Sequence, residues 1–478
     1  MDITQQDLEL IIRKVLDGIS QNDRDGGGSR QIPAGNAGAR GVFDDVGEAL
    51  AAGAASQQIY TRDYNIRERE ALLSALRGNL TGHIEELARS VYEETGIGVY
   101  EDKILKHQLV ISGTPGTEVL QTEAVSGSDG LSLTDYAPFG LIGAVTPVTN
   151  PTETIINNVI SMLAGGNAVV FNVHPSAVKS SALVIGLIHD TLKKTGAPEN
   201  LVTMIAKPTM ETLKTITSSP LVKLLLGTGG MAMVQSLLSS GKKTVGAGSG
   251  NPPVIVDETA DIPFAAKQIY YGASFDNNLL CIAEKEVFAL EGILNELIRE
   301  LQKNGAFLLN QEETERITEL VLKRDGGGDY HPKKEWVGKD AASILAAAGI
   351  SGAGGKLIIA RTGMDHPLVM TEQMLPVLPI TGCASFEQAV EAACRAEGGK
   401  RHTASIFSRD IDRITMYSKK IETTVFVANN YTLAGVGFGG EGFATMTIAG
   451  PTGEGITSAL TFTRRRRGVL AKGALRLV

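Results

Sequence analysis

Between residues 140 and 240 the chain alternates short, almost wholly apolar runs with amphipathic ones: GLIGAVTP, TETIINNVISMLAGG, NAVVFNVHP, KSSALVIGLIHDTLKKTG, LVTMIA, TMETLKTITSS, VKLLLGTGG and MAMVQSLLSSG. A strand that is apolar on both faces needs cover on both faces, and helices that return the chain to the same sheet edge provide it. The pattern therefore predicts a doubly wound α/β fold with a parallel sheet, which binds its ligand at the carboxyl ends of the strands. A second α/β region begins near PPVIVDETADI and runs to about Ala434, carrying KEVFAL, KLIIART, VLPITGC, TASIFS and TTVFVANN. Ahead of both, Val42 to Glu118 reads as helical, with VGEALAAGAASQQIY, IREREALLSALRGNL and IEELARSVYEETG at helical spacing. A polar hairpin around VSGSDG and a last strand, ITSALTFT, are expected to pair into an arm that meets another subunit. The basic run Arg464 to Arg467 then reads as a solvated strand end.

The N-terminus is of a different kind. Residues 2–19 place Leu8, Ile11, Ile12, Val15, Leu16 and Ile19 on one helical face, with Gln6, Glu9, Arg13, Lys14 and Asp17 opposite. The stretch SQNDRDGGGSRQIPAGNAGARG that follows is polar and glycine-rich, the composition of a flexible linker. A tethered helix of about 18 residues is marginal alone in water, so its stripe calls for a protein partner, its own globular domain or another chain. The mixed charges of its polar face argue against a membrane surface.

With 43% hydrophobic residues the chain has ample material for cores, and a net charge of −8 disfavours nucleic acid as a partner. Three cysteines without a C-x-x-C or Cys/His cluster give neither a disulfide framework nor a metal site. No stretch approaches the roughly 18 apolar residues of a membrane span, and a reducing, cytoplasmic setting is expected.

Two local features carry chemistry. GTGG at 227–230 lies between an apolar strand and a helix, where backbone N–H groups can face a diphosphate, whereas GAGSGN at 246–251 and GFGGEG at 437–442 lack that context. Cys281, in NNLLCIAEKE, is either a buried apolar side chain or a sulfur nucleophile, and its immediate neighbours do not decide between them.

The order TPVTNP, NVHPSA, LLLGTGG, VGAGSGNPPVIVDETADI, NNLLCIAEKEVF, TEQMLPVLPI and NNYTLAGVGFGG, from about residue 42 onward, resembles the aldehyde dehydrogenase superfamily. It is most similar to the CoA-acylating branch, the propionaldehyde and acetaldehyde dehydrogenases packaged in bacterial microcompartments. The resemblance implies that Cys281 is the nucleophile and that the side-chain amide of Asn150 stabilises the oxyanion together with the Cys281 N–H. It implies NAD contacts at Thr146, Pro147, Thr228, Gly229 and Gly230, and at Glu372 for the nicotinamide ribose. His174 stands where many relatives have a lysine reaching the adenosine ribose. The implied domains are 42–119 with 137–253 for NAD and CoA, 254–435 for catalysis, and 120–136 with 436–478 as oligomerisation arm and C-terminal segment of a homodimer or homotetramer. Residues 1–20 become a helix that directs the protein into a microcompartment shell, on a linker at 21–41.

One departure from the hydrolytic members sets the acyl acceptor. Where they carry a glutamate general base, this chain has Ala247. Water, with a pKa of about 15.7, is a poor nucleophile without a base, whereas a thiol near 8.5 supplies thiolate at neutral pH. Coenzyme A is therefore the expected acceptor and a short-chain aldehyde the substrate. A hydrolytic enzyme and a catalytically idle shell cargo are the competing readings.

Overall fold

The computed structural model describes residues 39–351, 354–473 and 475; the expected helix at 2–19 and the linker up to residue 38 lie outside them. Six parallel strands form the first sheet, in the order Val42–Phe43, Val202–Ile205, Ala168–Asn172, Leu141–Val145, Val222–Thr228, Thr244–Ala247. After the edge strand Val42–Phe43 the chain enters the middle at Leu141–Val145, builds back toward that edge through Ala168–Asn172 and Val202–Ile205, and then crosses over to add Val222–Thr228 on the other side. That reversal opens a crevice beside the carboxyl end of Leu141–Val145. Register puts Val145 opposite both Asn172 and Gly227.

Seven parallel strands form the second sheet, in the order Ala306–Leu309, Leu357–Arg361, Val377–Cys383, Glu286–Leu290, Pro253–Val256, Thr403–Phe407, Val425–Ala428. Their apolar residues are buried on both faces, as Val254, Ile255, Val256, Val287 and Phe288 illustrate. Continuous apolar runs thus become central strands because helices cover each face.

Helix Pro151–Ala164 is buried along its whole length, which explains why PTETIINNVISMLA has no solvent face despite its polar letters. The helical region before it holds the three expected helices, at Val46–Asp63, Ile66–Thr81 and Ile84–Thr95, and a fourth at Tyr100–Gly113. The fourth hides from periodicity because Lys103, Lys106 and His107 occupy its buried face.

The expectation for the last strand needs correction. Within ITSALTFT only Ile456 and Thr463 are extended in strands; the long strand is Thr463–Ala471, which contains the arginine run and pairs antiparallel with Gly130–Pro138. That strand in turn forms a hairpin with Glu123–Gly127, closing a three-stranded sheet. The arginines are exposed along the strand itself rather than at its end, since extended backbone at a sheet edge accepts long charged side chains readily.

Candidate active site

Asn150 stands at the N-cap of helix Pro151–Ala164, where an asparagine ordinarily turns onto the first free N–H groups. Here its side chain makes no capping bond, forgoing about 1 kcal/mol. Asn150 Oδ1 instead accepts from Lys106 Nζ at 2.6 Å, while Nδ2 donates to Thr149 Oγ1 at 3.2 Å. An amide nitrogen carries two hydrogens, so the second remains for a ligand.

Lys106 belongs to a buried charge network. Its ammonium pairs with Asp276 Oδ2 at 2.5 Å and Glu153 Oε1 at 3.1 Å, and Lys103 reaches Asp276 at 3.4 Å. Burial opposes the Lys106 charge, but the Asp276 and Glu153 carboxylates outweigh it and raise the lysine's pKa. Burial also pushes Glu153 toward its neutral form, and Lys106, His107 and Lys103 overcome it, holding the carboxyl down to about 2. Mutual compensation of this kind is what keeps buried ions tolerable.

The turn before Cys281 is unusual. Asp276, Asn277 and Asn278 follow one another in the left-handed region, with φ of 48°, 54° and 61°. Aspartate and asparagine visit that region more readily than other non-glycine residues, which gives the DNN triplet a conformational reason. Each is then tied down. Asp276 N–H donates to Asp102 Oδ2 at 2.8 Å, and Asn277 Nδ2 donates to the Gly338 carbonyl at 2.9 Å. Asn278 Nδ2 donates to the carbonyls of Ala273 and Glu284 at 2.8 and 2.9 Å. Lys285 Nζ donates to the Asn278 carbonyl at 2.8 Å, to Asn278 Oδ1 at 2.5 Å and to the Leu280 carbonyl at 3.0 Å.

The turn delivers Cys281, half-buried, to a narrow cavity of about 30 Å³. Cys281, Asn150 and Lys106 share its wall with Leu109, Phe275, Leu280, Ile282, Leu433, Val436, Phe438, Thr445, Met446 and Ile448. No carboxylate lines it, and the apolar wall suits a short aliphatic chain. Burial, reinforced by the Glu372 carboxylate, pushes the Cys281 thiol up to about 12; Lys285 and the N–H groups of Cys281 and Ile282 pull the other way. Glu372 is half-buried and accepts from Gly250 N–H at 3.2 Å, and burial raises its pKa against the pull of Lys285.

The remaining expected residues gather at the crevice of the first sheet. Thr146 and Pro147 follow Leu141–Val145, His174 follows Ala168–Asn172, and Thr228, Gly229 and Gly230 close Val222–Thr228. Thr146 Oγ1 is buried with no protein partner, a polar atom left for a ligand. Within GTGG, Thr228 Oγ1 is bonded to Thr447 Oγ1 at 2.9 Å and Gly229 N–H to the Ala247 carbonyl at 3.1 Å. Helix Met231–Leu238 starts immediately after, with Gly230 as its N-cap. His174 Nδ1 accepts from Ser176 N–H at 3.1 Å, and burial lowers its pKa, so the ring is neutral and presents Nε2–H as a donor.

Several groups around the nucleophile escaped the sequence reading. Lys106 and Asp276 are tertiary partners with no local motif, and Lys285 closes back on the turn five to seven residues before it. His402, given no role from sequence, is buried; burial and the charges of Lys285 and Lys400 push its pKa down to about 3. Its Nδ1 pairs with Thr403 Oγ1 at 2.9 Å, and its Nε2 has no protein partner. The one available signal was the pair of lysines and a histidine at i, i+3 and i+4 in YEDKILKHQLV, on a face otherwise suited to a core.

The chain resembles proteins of known activity over most of its length. It is 43% identical to a propanal dehydrogenase (CoA-propanoylating) of Salmonella typhimurium, covering 91% of this chain and 93% of that one. It is 40% identical to the acetylating acetaldehyde dehydrogenase EutE of the same organism, over the full length of both. Among solved structures, a propionaldehyde dehydrogenase from the Clostridium phytofermentans fucose utilisation bacterial microcompartment superimposes with a TM-score of 0.88 at 47% identity, covering 92% of this chain and 100% of that one. A Rhodopseudomonas palustris propionaldehyde dehydrogenase with bound CoA and an acylated cysteine gives a TM-score of 0.87 at 44% identity, with 91% and 98% covered. The aldehyde dehydrogenase family model itself matches residues 38–318 and 355–454. Matched by the family model over most of its length, and with Cys281 and the Asn150 amide on one cavity wall, the chain belongs to the aldehyde dehydrogenase family.

Proposed function

We propose that the protein is a CoA-acylating aldehyde dehydrogenase that converts a short-chain aldehyde, propionaldehyde foremost, with CoA and NAD into acyl-CoA and NADH. The observation that carries this reading is the composition of the cavity: Cys281 and Asn150 face a small apolar space with no carboxylate on its wall. Ala247, where hydrolytic relatives hold a base, is a buried strand end.

Cys281 releases its proton to solvent and, as the thiolate, its sulfur adds to the aldehyde carbon while the carbonyl π pair moves onto the oxygen, which takes up the negative charge. Asn150 Nδ2–H and the Cys281 N–H stabilise that oxygen, in a pocket from which apolar side chains exclude water. NAD supplies the hydride acceptor when bound. Thr146, Pro147, His174, Thr228, Gly229 and Gly230 would hold it, joined by Glu372 at the nicotinamide ribose. The orphaned Thr146 hydroxyl and the free helix start after GTGG fit a dinucleotide at that crevice. His174, whose Nδ1 accepts from Ser176 N–H, keeps Nε2–H to donate to a ribose hydroxyl. The thioester left on Cys281 is then cleaved by the CoA thiol: its sulfur bonds to the acyl carbon, the bond from that carbon to the Cys281 sulfur breaks, and the thiol proton passes to the departing Cys281 sulfur.

Microcompartment targeting through residues 2–19 and a homo-oligomer built on the three-stranded sheet complete the reading. Exposed Val125, Val469 and Leu470 on that sheet support the second part, since apolar side chains on an open sheet invite burial.

Cys281→Ala should abolish CoA-dependent NADH formation, and omission of CoA from the wild type should stop turnover after one acyl group per subunit, detected on Cys281 by mass spectrometry. Sustained full turnover without CoA would move the assignment to hydrolysis, with Glu372, whose charge reaches Cys281, as the candidate base. Deleting residues 1–20 should leave soluble activity intact while abolishing association with shell proteins; a truncated, folded enzyme without activity would count against a targeting role.

A further inference from the structure

Lys106 is the only cation bonded to Asn150 among the described residues, and it is bonded at the oxygen, 2.6 Å away. An ammonium has three N–H donors and no acceptor. Here it donates to acceptors from two separate segments, Asn150 Oδ1 at the N-cap of helix Pro151–Ala164 and Asp276 Oδ2 in the left-handed turn before Cys281, while Glu153 Oε1 in the first turn of that helix stands 3.1 Å away as a charge partner. Lys106 therefore joins the two halves of the site, one carrying the amide and the other the sulfur.

The two ends of an asparagine amide are nearly identical in shape, so a rotation of the group by 180° exchanges donor and acceptor at no steric cost. For an oxyanion this exchange is fatal, because a carbonyl oxygen in place of the N–H repels the developing charge. With Lys106 at one end, the rotated amide would set NH₂ against an ammonium that cannot accept. The lysine thus leaves one orientation open, with Nδ2 turned away from it. Thr149 Oγ1, a hydroxyl that can donate or accept, cannot enforce that choice, and the helix does not use the amide as a cap.

Lys106 is also unsuited to acting through its net field. The Asp276 and Glu153 carboxylates stand 2.5 and 3.1 Å from it and offset its charge locally. What remains is local: an oriented, polarised amide and a strut to the nucleophile turn.

We infer that Lys106 is a positioning residue that holds the Asn150 amide with its N–H toward the oxyanion. The inference rests on the proposed role of Asn150 in this reaction, and the experiment separates the two. Asn150→Ala, Lys106→Met, Lys106→Gln and the double variant Asn150→Ala with Lys106→Met are compared by steady-state kinetics and by the acylation burst. Iodoacetamide alkylation of Cys281 reports the nucleophile turn, and circular dichroism reports the fold.

Lys106→Met is expected to lower kcat about 100-fold, near the loss of one oxyanion donor, with the aldehyde KM changed less than about threefold. Lys106→Gln retains an N–H for Asn150 Oδ1 and should recover about tenfold of that loss. Once Asn150 is alanine there is nothing left to orient, so adding Lys106→Met should cost less than about threefold more. Alkylation should stay within about twofold of wild type in the Lys106→Met enzyme. Losses that multiply in the double variant, or a Lys106→Met enzyme with wild-type kcat, overturn the inference. If Lys106→Met does not fold, the same cycle is run with Lys106→Gln and the same criteria apply. Wild-type kcat in Asn150→Ala would instead remove the role of Asn150 on which the inference stands.

Discussion

Gly250 lies between the Cys281 carbonyl and the His402 imidazole: a Cβ there would stand 2.5 Å from the carbonyl oxygen and 3.0 Å from Cγ and Nδ1 of the ring. Backbone on one side and a buried ring on the other leave no room for either to yield. Gly250→Ala is therefore expected to displace the nucleophile loop and to lower kcat/KM by about 100-fold or more, the scale of a misplacement near 1 Å. A folded Gly250→Ala enzyme with wild-type kcat/KM would mean that the contact does not set the position of the sulfur.

Glu372 and Cys281 are coupled through charge. Burial is the larger cause of the raised thiol pKa, and the Glu372 carboxylate adds to it because a nearby anion disfavours a thiolate. Glu372→Gln removes that anion, so the thiol pKa must fall and the thiolate fraction at any pH below it must rise. Alkylation of the dinucleotide-free enzyme by iodoacetamide at pH 8 should be faster in Glu372→Gln by about tenfold per unit of the fall, while the KM for NAD increases. Slower alkylation would reverse the sign of the coupling.

Lys285 clamps the strained turn. Its three bonds to Asn278 and Leu280 are made in a fully buried position, and its charge also lowers the Cys281 pKa. Lys285→Met leaves the Asn278 carbonyl and amide oxygen without a partner, while the Leu280 carbonyl keeps the Ala283 N–H, at about 1–3 kcal/mol for each unsatisfied group. Chemical denaturation should register a loss of about 3 kcal/mol or more, and alkylation of Cys281 should slow because the thiol pKa rises. Unchanged values of both would leave the clamp without energetic meaning.

Glu284 gives a pH signature. It is buried, it accepts from Thr432 N–H at 2.7 Å, and burial, only partly offset by that bond, raises its pKa from the ordinary 4.5 to about 7. Between those two values the unfolded chain has released a proton that the folded protein still holds, so stability is fully present below pH 4.5 and falls as pH rises to about 7. The fall amounts to about 3 kcal/mol at about 1.4 kcal/mol per unit. Glu284→Gln should flatten this dependence, gaining stability over the wild type at pH 8 relative to pH 5 in urea titrations. Parallel pH curves for the two proteins would assign the effect elsewhere.

The sequence by itself determined the parallel-sheet class, most element positions and the candidate residues Cys281, Asn150 and Glu372. Burial on two faces writes itself as unbroken apolar runs, and the order of the motifs carries the family resemblance. It could also place GTGG at a strand-to-helix junction. The extent of the last strand was misjudged, because an arginine run in an edge strand resembles a solvated tail when its pairing partner lies some 330 residues away in the chain, as Arg464 and Ala137 do. Only the tertiary structure decided how the chemistry is held. Lys106 and Asp276 acquire their roles from neighbours distant in sequence, and a buried charge reads from its own segment as an ordinary surface residue. Electrostatic partnership depends on separation in space and on the water excluded between the partners, and neither quantity is carried by residue order alone.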